Sequence, residues 1–291
     1  MRRIRTVAIF PTLFTLGNLV CGFFAIVVAA RVDAPKSPDL PTASDVALLQ
    51  NPSGLIRQLD PTDDTHNCML SGWLIFLAMI FDGLDGHVAR LARQTSDFGA
   101  QLDSLCDVVT FGVAPGFLLV KMCPRFTYWH RDAVWIIAAS FAACAALRLA
   151  RFNVETGEED DHLSFSGLPS PAAAASIAGF AILFYELRRQ GTKLPYASEI
   201  DHVVQAMLPW FAVLVAMLMV SRIPYPHIVN QMFRGQRSFA HLVALVFTLV
   251  AIMVIRDISV PIVGCAFVLY SPLHFAWRRI YHRNDYRDPV F

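Results

Sequence analysis

The sequence predicts an all-α integral membrane protein. Hydrophobic residues make up 55% of the 291 residues and charged residues 16%, whereas soluble domains carry roughly 25% charged residues. Several apolar stretches approach the about 20 residues that a helix needs to cross a bilayer. The formal net charge of +1 provides no broad positive field for binding nucleic acid. We therefore expect the chain to lie in the lipid bilayer and to bind no nucleic acid.

About eight stretches are apolar enough to be predicted as membrane-spanning helices. They are residues 7–30, 69–91, 99–122, 133–149, 171–187, 203–220, 239–255 and 258–275. The basic flank 1–5 would also suit a signal peptide, but the apolar run after it exceeds the roughly 7–15 residues of a signal-peptide core. The first stretch is therefore predicted as a retained helix, and residues 1–291 as a single membrane-embedded domain.

The distribution of arginine predicts the orientation of these helices. Arginines concentrate in the N-terminal flank, in alternate connections and at the C-terminus, and basic residues are enriched on the cytoplasmic side of membrane proteins. Both termini are therefore predicted in the cytoplasm. Residues 31–67 are rich in Pro and Asp and have no helical period, which predicts an extracytoplasmic loop insertion.

Four acidic residues interrupt the apolar pattern at helical spacing. This aspartate quartet consists of Asp82, Asp85, Asp103 and Asp107. The first two are three residues apart and the last two are four apart, so each pair lies on one helix face. The polar residues between the pairs allow the chain to turn back at the membrane surface. We therefore expect the two acidic faces to meet.

The aspartate quartet needs a compensating positive charge. An unpaired aspartate at the centre of a membrane helix costs roughly 2.5–3.5 kcal/mol, and the neighbouring Arg90 and Arg93 are too few to neutralise four carboxylates. One or two divalent cations would do so, and oxygen ligands favour magnesium or manganese over zinc. The alternative, four independent helix-end charges exposed to solvent, is disfavoured because the acids fall in register.

Around the quartet, the sequence spells Asp-x-x-Asp-Gly-x-x-Ala-Arg and, eight residues later, Gly-x-x-x-Asp-x-x-x-Asp. This pattern resembles the signature of the CDP-alcohol phosphotransferase family, which are integral membrane enzymes of phospholipid synthesis. Residues 11–18, 107–115, 148–153 and 165–171 are similar to the phosphatidylserine synthase branch of that family. The resemblance implies a catalytic core of six helices, a homodimer, and a bacterial inner membrane location with the active site facing the cytoplasm.

The resemblance also implies a reaction and its site residues. The reaction transfers a phosphatidyl group from CDP-diacylglycerol to L-serine, which gives phosphatidylserine and CMP. The aspartate quartet would hold two Mg²⁺ or Mn²⁺ ions, and Asp107 would also be the base on the acceptor hydroxyl. The residues implied to bind the nucleotide or lipid substrate are Asn18, Gly86, Ala89, Arg90 and Gly99. The small residues among these also suit close helix packing, and an asparagine in an apolar helix also suits an interhelical hydrogen bond.

A basic motif further along the chain is the candidate acceptor site. Arg148 and Arg151, with Asn153 and Ser170, would bind the serine carboxylate or a phosphate, because arginine binds carboxylates in a forked geometry. Both arginines also suit simple anchoring at the cytoplasmic surface. A sister enzyme that uses glycerol 3-phosphate or an inositol phosphate is the nearest alternative function. A divalent-cation transporter with the aspartates as its ion site is a more distant alternative.

Overall fold

The structure is a computed structural model that describes residues 9–32, 64–91, 97–123, 131–155, 165–188, 196–225 and 256–281. These residues form eight α-helices, one π-helical turn and one pair of short strands. The elements are α1 (Ile9–Ala30), α2 (Asp64–Leu91), α3 (Asp97–Asp107), the π turn (Val108–Val113), α4 (Ala114–Met122), α5 (Arg131–Glu155), β1 (Phe165–Ser166), α6 (Ser170–Arg188), α7 (Ala197–Val220), β2 (Pro224–Tyr225) and α8 (Arg256–Tyr281).

Six helical segments in these ranges are long and apolar enough to cross a membrane. They are Thr12–Ala30, Asp64–Asp85, Phe98–Met122, Asp132–Val154, Ser170–Arg188 and Ala197–Val220. These segments match the first six predicted helices, and the prediction of an all-α integral membrane protein is confirmed. Helix α8 contains a shorter apolar segment, Ser259–Phe275, and the predicted helix 239–255 lies outside the described residues. The total of eight spanning helices therefore stays a prediction.

The predicted loop insertion at 31–67 is too long at its C-terminal end. Helix α2 begins at Asp64, so the residues from 64 onward belong to that helix, and 33–63 lie outside the described part of the chain. The helix begins with the polar residues 64–67, which precede the apolar run from which it was predicted. The bundle nevertheless encloses the polar side chains of Asn67 and Ser71. Both are buried, and the Ser71 hydroxyl donates a hydrogen bond to the Ala25 carbonyl of α1 over 2.9 Å.

Small residues let the helices approach closely, as expected in a bilayer. Helix α1 turns large side chains such as Leu13 and Phe24 outward and buries Ala25. At Gly22, an added Cβ would lie 2.3 Å from the Thr110 hydroxyl oxygen. Any larger residue at position 22 would separate α1 from the π turn.

Helix α6 lies at the centre of the bundle. Its alanines and serines are mostly buried, and it packs against α2, α7 and α8. At Gly72 of α2, an added Cβ would lie 2.9 Å from the Ala178 carbonyl oxygen of α6. Ser170, one of the candidate acceptor residues, is the first residue of α6. The packing of α6 therefore fixes the position of Ser170.

A π-helical turn follows the last residue of the aspartate quartet. The Ala114 N–H donates to the Val109 carbonyl, five residues earlier, instead of to the carbonyl four residues earlier that an α-helix would use. Pro115 explains this turn, because proline has no N–H and its ring clashes with the carbonyl four residues before it. The predicted helix 99–122 therefore has the right extent but contains a turn of different geometry.

The segment before α6 and the segment after α7 pair as two short antiparallel strands. Phe165 pairs with Tyr225, and Ser166 pairs with Pro224. The sequence did not predict these strands. We call residues 165–170 and 218–225 together the junction, and it holds the start of α6 beside the end of α7.

Candidate active site

Three members of the aspartate quartet meet between α2 and α3. One carboxylate oxygen from each of Asp82, Asp85 and Asp103 lies within 4.8 Å of the others. The prediction that the two acidic faces meet is therefore confirmed. Oxygens around a bound Mg²⁺ lie at about 2.1 Å from the ion, so oxygens on opposite sides are roughly 4 Å apart. The three carboxylates are therefore close enough to one another to be candidate ligands of a single ion.

Asp107 is buried beside this group and is held by α1. The Asn18 side-chain amide donates a hydrogen bond to Asp107 Oδ1 over 2.9 Å, and the charges of Asp82, Asp103 and Asp85 act on the Asp107 carboxylate. Asn18 is fully buried. Asn18 therefore contacts Asp107, the fourth aspartate of the quartet. The predicted contact of Asn18 with the nucleotide stays a prediction.

The donor set fits a hard divalent cation. Asp103 Oδ1 and Asn18 Oδ1 are buried and have no hydrogen-bond partner within the described part of the chain. Burying an acceptor oxygen without a partner costs roughly 1–3 kcal/mol, and a carboxylate costs more. Unsatisfied oxygens beside clustered carboxylates point to a cation, and an all-oxygen set favours magnesium or manganese.

Arg148 and Ser170 of the predicted acceptor set meet beside the aspartates. Arg148 Nη1 donates a hydrogen bond to Ser170 Oγ over 2.6 Å, and Ser170 is fully buried. The guanidinium charge acts on Asp107 and Asp82. An arginine has five N–H donors, so the bond to Ser170 orients the guanidinium and uses only one of them.

The other two residues of that set lie at contacts between helices. Arg151 Nη1 donates to the Val220 carbonyl over 3.2 Å, at the C-terminal end of α7, where a cation suits the helix dipole. Asn153 Nδ2 donates to Ser104 Oγ over 2.8 Å, which links α5 to α3. Of the predicted acceptor set, Arg148 and Ser170 therefore contact each other, whereas Arg151 and Asn153 are bonded to α7 and α3.

The small residues of the motif lie on the same helices as the quartet. Gly86, Ala89 and Arg90 belong to the last turns of α2, and Gly99 lies in the first turn of α3. Their predicted contacts with the substrate stay predictions.

Two hydroxyl residues near the site were missed by the sequence analysis. Thr110 Oγ1 donates to the Asn18 carbonyl over 3.2 Å, and Ser104 Oγ donates to the Ala100 carbonyl over 3.0 Å while it accepts from Asn153. Their polar side chains in an apolar span were a usable signal, because membrane helices use such groups to contact one another.

Comparisons with known proteins identify relatives of this chain. The family model for CDP-alcohol phosphatidyltransferase matches residues 8–220. The CDP-diacylglycerol–serine O-phosphatidyltransferase of Methanocaldococcus jannaschii is 39% identical over 160 residues, which cover 55% of this chain and 65% of that protein. The protein of the same name from Helicobacter pylori is 36% identical over 165 residues, covering 56% and 63%. The archaetidylserine synthase of Methanothermobacter thermautotrophicus is 34% identical over 194 residues, covering 66% and 70%.

The matched part of the chain spans less than two thirds of the length of the first two relatives. The family model, in contrast, covers most of the chain and includes the aspartate quartet, Asn18, Arg148 and Ser170. The chain therefore belongs to the CDP-alcohol phosphatidyltransferase family.

Proposed function

We propose that this chain transfers a phosphatidyl group from CDP-diacylglycerol to L-serine, giving phosphatidylserine and CMP. The observation that carries the proposal is the Arg148–Ser170 pair beside the aspartates, since it offers a cation and a hydroxyl where an amino-acid acceptor would lie. The names of the three relatives support serine as the acceptor.

The position of the site in the bundle suits a lipid substrate. Asp85 is the last residue of the apolar span Asp64–Asp85, and Asp103 lies in the first turns of the span Phe98–Met122. Asp82, Asp85 and Asp103 are therefore near one end of the membrane-spanning segments, and Asp107 lies about one helical turn deeper. The acyl chains of CDP-diacylglycerol can stay in the bilayer while the nucleotide reaches this end. We place the site at the cytoplasmic surface of a bacterial inner membrane, where soluble serine is available.

The aspartate quartet is proposed to hold two Mg²⁺ or Mn²⁺ ions. When bound, such ions neutralise the charge that develops on the pyrophosphate as CMP leaves. The geometry and the unsatisfied Asp103 oxygen support this assignment. Gly86 and Ala89 are proposed to leave room for a phosphate because their side chains are small, and Arg90 and Gly99 are proposed to contact the substrate with Asn18.

Asp107 is the proposed base on the serine hydroxyl. The Asn18 amide holds Oδ1 of Asp107, which fixes the direction of the other carboxylate oxygen. A base must reach the proton that it removes at hydrogen-bond distance, so a fixed orientation is an advantage. Deprotonated serine then attacks the lipid-bearing phosphorus, the new P–O bond forms, and the bond to CMP breaks.

Arg148 is the proposed partner of the serine carboxylate. Ser170 orients its guanidinium, and the remaining N–H groups suit forked binding of a carboxylate. Because the Arg148 charge acts on Asp107, both ends of a small amino acid could contact the two residues at once. The hydroxyl would then lie at the base while the carboxylate lies at the arginine.

A sister enzyme with a phosphorylated acceptor would need more positive charge. Among the side chains that the structure describes, Arg148 is a cation whose charge acts on Asp82 and Asp107, whereas Arg151 is bonded to the end of α7. This arrangement favours serine over glycerol 3-phosphate or an inositol phosphate. Membership of the family argues against the divalent-cation transporter.

The test is product identification with the purified protein in detergent. The protein receives CDP-diacylglycerol, magnesium and, in separate reactions, labelled serine, glycerol 3-phosphate or inositol phosphate. We expect labelled phosphatidylserine together with one CMP for each lipid product, and no product from an Asp103→Asn control. A labelled lipid formed from another acceptor, with none from serine, would contradict the proposal.

A further inference from the structure

Tyr225 lies beyond the residues that the family model matches, and it anchors the junction to the last helix. Its side chain is almost fully buried, and its ring lies 6.1 Å from that of Phe267 on α8. The phenol donates a hydrogen bond to the Val268 carbonyl over 3.0 Å. Burial raises the pKa of Tyr225 to about 12, so the phenol keeps its proton throughout the neutral range.

The Val268 carbonyl accepts this bond because its own helix cannot supply the usual donor. In an α-helix the donor would be the N–H four residues later, and that residue is Pro272, which has no N–H. Val268 is fully buried, and a buried carbonyl without a partner is costly. The Tyr225 phenol therefore replaces the helix hydrogen bond that Pro272 removes, and it ties the junction to α8 at a defined point.

Tyr225 is connected to the start of α6 through the backbone of the junction. It pairs with Phe165 across the two strands, and the next residues make two more bonds: the Gly167 N–H donates to the Ile223 carbonyl and the Leu168 N–H to the Leu218 carbonyl, each over 3.0 Å. Ser170 lies two residues after Leu168 and accepts the hydrogen bond from Arg148.

Gly167 makes this connection stiff. It has a φ of +89°, and an added Cβ would lie 2.5 Å from the Met219 carbonyl oxygen. The turn between β1 and α6 is therefore closed around the end of α7, and little slack remains between Tyr225 and Ser170.

Helix α8 also packs directly on α6. An added Cβ on Gly264 would lie 3.1 Å from Ser176 Cα, and one on Gly179 would lie 3.2 Å from Pro261 Cα. The same helix thus contacts α6 around residues 176–179 and contacts the junction through Tyr225. A movement of α8 would act on Ser170 from both directions.

We propose that Tyr225 is a positioning residue for the acceptor site, holding the junction so that Ser170 orients Arg148 toward the serine carboxylate. The inference rests on the proposed function of Arg148. Tyr225 touches no substrate in this proposal, and its effect passes through the junction. The affinity for serine should therefore depend on Tyr225, whereas the affinity for CDP-diacylglycerol should not.

The experiment compares Tyr225→Phe with the wild type and with Tyr270→Phe, a matched control on an exposed side chain of α8. The apparent KM for serine, the KM for CDP-diacylglycerol and the thermal midpoint are measured for each. We expect Tyr225→Phe to raise the serine KM about three- to tenfold, with the other KM within twofold, and Tyr270→Phe to change neither. An unchanged serine KM, or an equal rise in both constants, would overturn the proposal.

A second variant separates positioning from stability. In Tyr225→Phe/Pro272→Ala, the new N–H at position 272 can satisfy the Val268 carbonyl, so the thermal midpoint should recover while the tie to the junction stays broken. We expect the serine KM to remain raised, and its return to the wild-type value would refute the positioning role. This double variant also carries the test if Tyr225→Phe alone does not fold.

The wild-type assay keeps the two proposals distinguishable. If the wild type makes no phosphatidylserine but uses another acceptor, the proposed function fails, and the same comparison with that acceptor still tests Tyr225. If the wild type uses serine and the variants do not differ, only the inference about Tyr225 fails.

Discussion

Replacing Asn18 with leucine removes the amide that donates to Asp107 and keeps a side chain of similar size. The substitution also removes Asn18 Oδ1, which is buried and has no hydrogen-bond partner among the described residues. The backbone carbonyl of residue 18 still accepts from Thr110. The folded protein therefore loses the unsatisfied acceptor Asn18 Oδ1 but leaves the buried Asp107 Oδ1 without this donor, and because a charged acceptor without a donor is the more costly of the two, we expect a lower thermal midpoint.

The expected loss of activity follows from the 2.9 Å bond to Asp107. A hydrogen bond to a charged group contributes roughly 1.5–3 kcal/mol, and 1.4 kcal/mol corresponds to a factor of ten. If the bond orients the base during proton removal, kcat should fall about ten- to a hundredfold. The KM for serine should change much less, because Arg148 and Ser170 are untouched.

The assay is the initial rate of CMP release at saturating CDP-diacylglycerol and serine, per folded protein. Asn67→Leu is the matched control, because Asn67 is also buried and lies about 22 Å along α2 from Asp82. We expect the control to keep kcat within about threefold of the wild type. An Asn18→Leu protein with a normal kcat would refute the claim that this hydrogen bond orients Asp107.

Three further predictions concern the rest of the site. Removal of divalent ions should abolish CMP release, and Mg²⁺ or Mn²⁺ should restore it; full turnover in excess chelator, after verified metal removal, would contradict the two-ion proposal. Asp103→Asn should weaken metal binding in calorimetric titration, whereas Asp107→Asn should retain binding of CDP-diacylglycerol and lose turnover; near-wild-type rates for both would exclude these roles. Arg148→Lys should raise the serine KM about ten- to a hundredfold, because lysine keeps the charge but loses the fork. Arg151→Lys should raise it far less, and equal effects would show that the assignment of the two arginines is wrong.

The aspartate quartet and the spanning helices could be predicted because each is recognisable from residues that lie close together in the sequence. Carboxylates at helical spacing in apolar stretches carry a large energetic cost, and this cost predicts their convergence without knowledge of the fold. The contact between Asn18 and Asp107 joins residues 89 apart in the sequence. Nothing in either local pattern indicates which helix faces which, so that pairing needed the tertiary structure.

The division of the acceptor residues was also beyond the sequence. Arg148 and Arg151 belong to one short motif, yet one donates to Ser170 and the other to the end of α7. Their environments differ because α5 packs against α7 on one side and the π turn on another. The two-residue strands β1 and β2 are too short to show an alternating pattern, and their partners are distant in sequence.

The π turn sets the direction in which the side chains of α4 point relative to that of Asp107. A hydrogen bond to the fifth residue back encloses one residue more than an α-helical bond, and each residue of an α-helix advances the side chains by about 100°. Gly112 and Gly116 can therefore face α5, where added Cβ atoms would lie 3.2 Å from Ala145 and 2.9 Å from Ala138, while Asp107 faces Asn18. If Val108–Val113 were regular α-helix instead, the residues after them would be turned by about 100° relative to Asp107, so that the chain could keep the carboxylate contact or the glycine contact with α5, but not both.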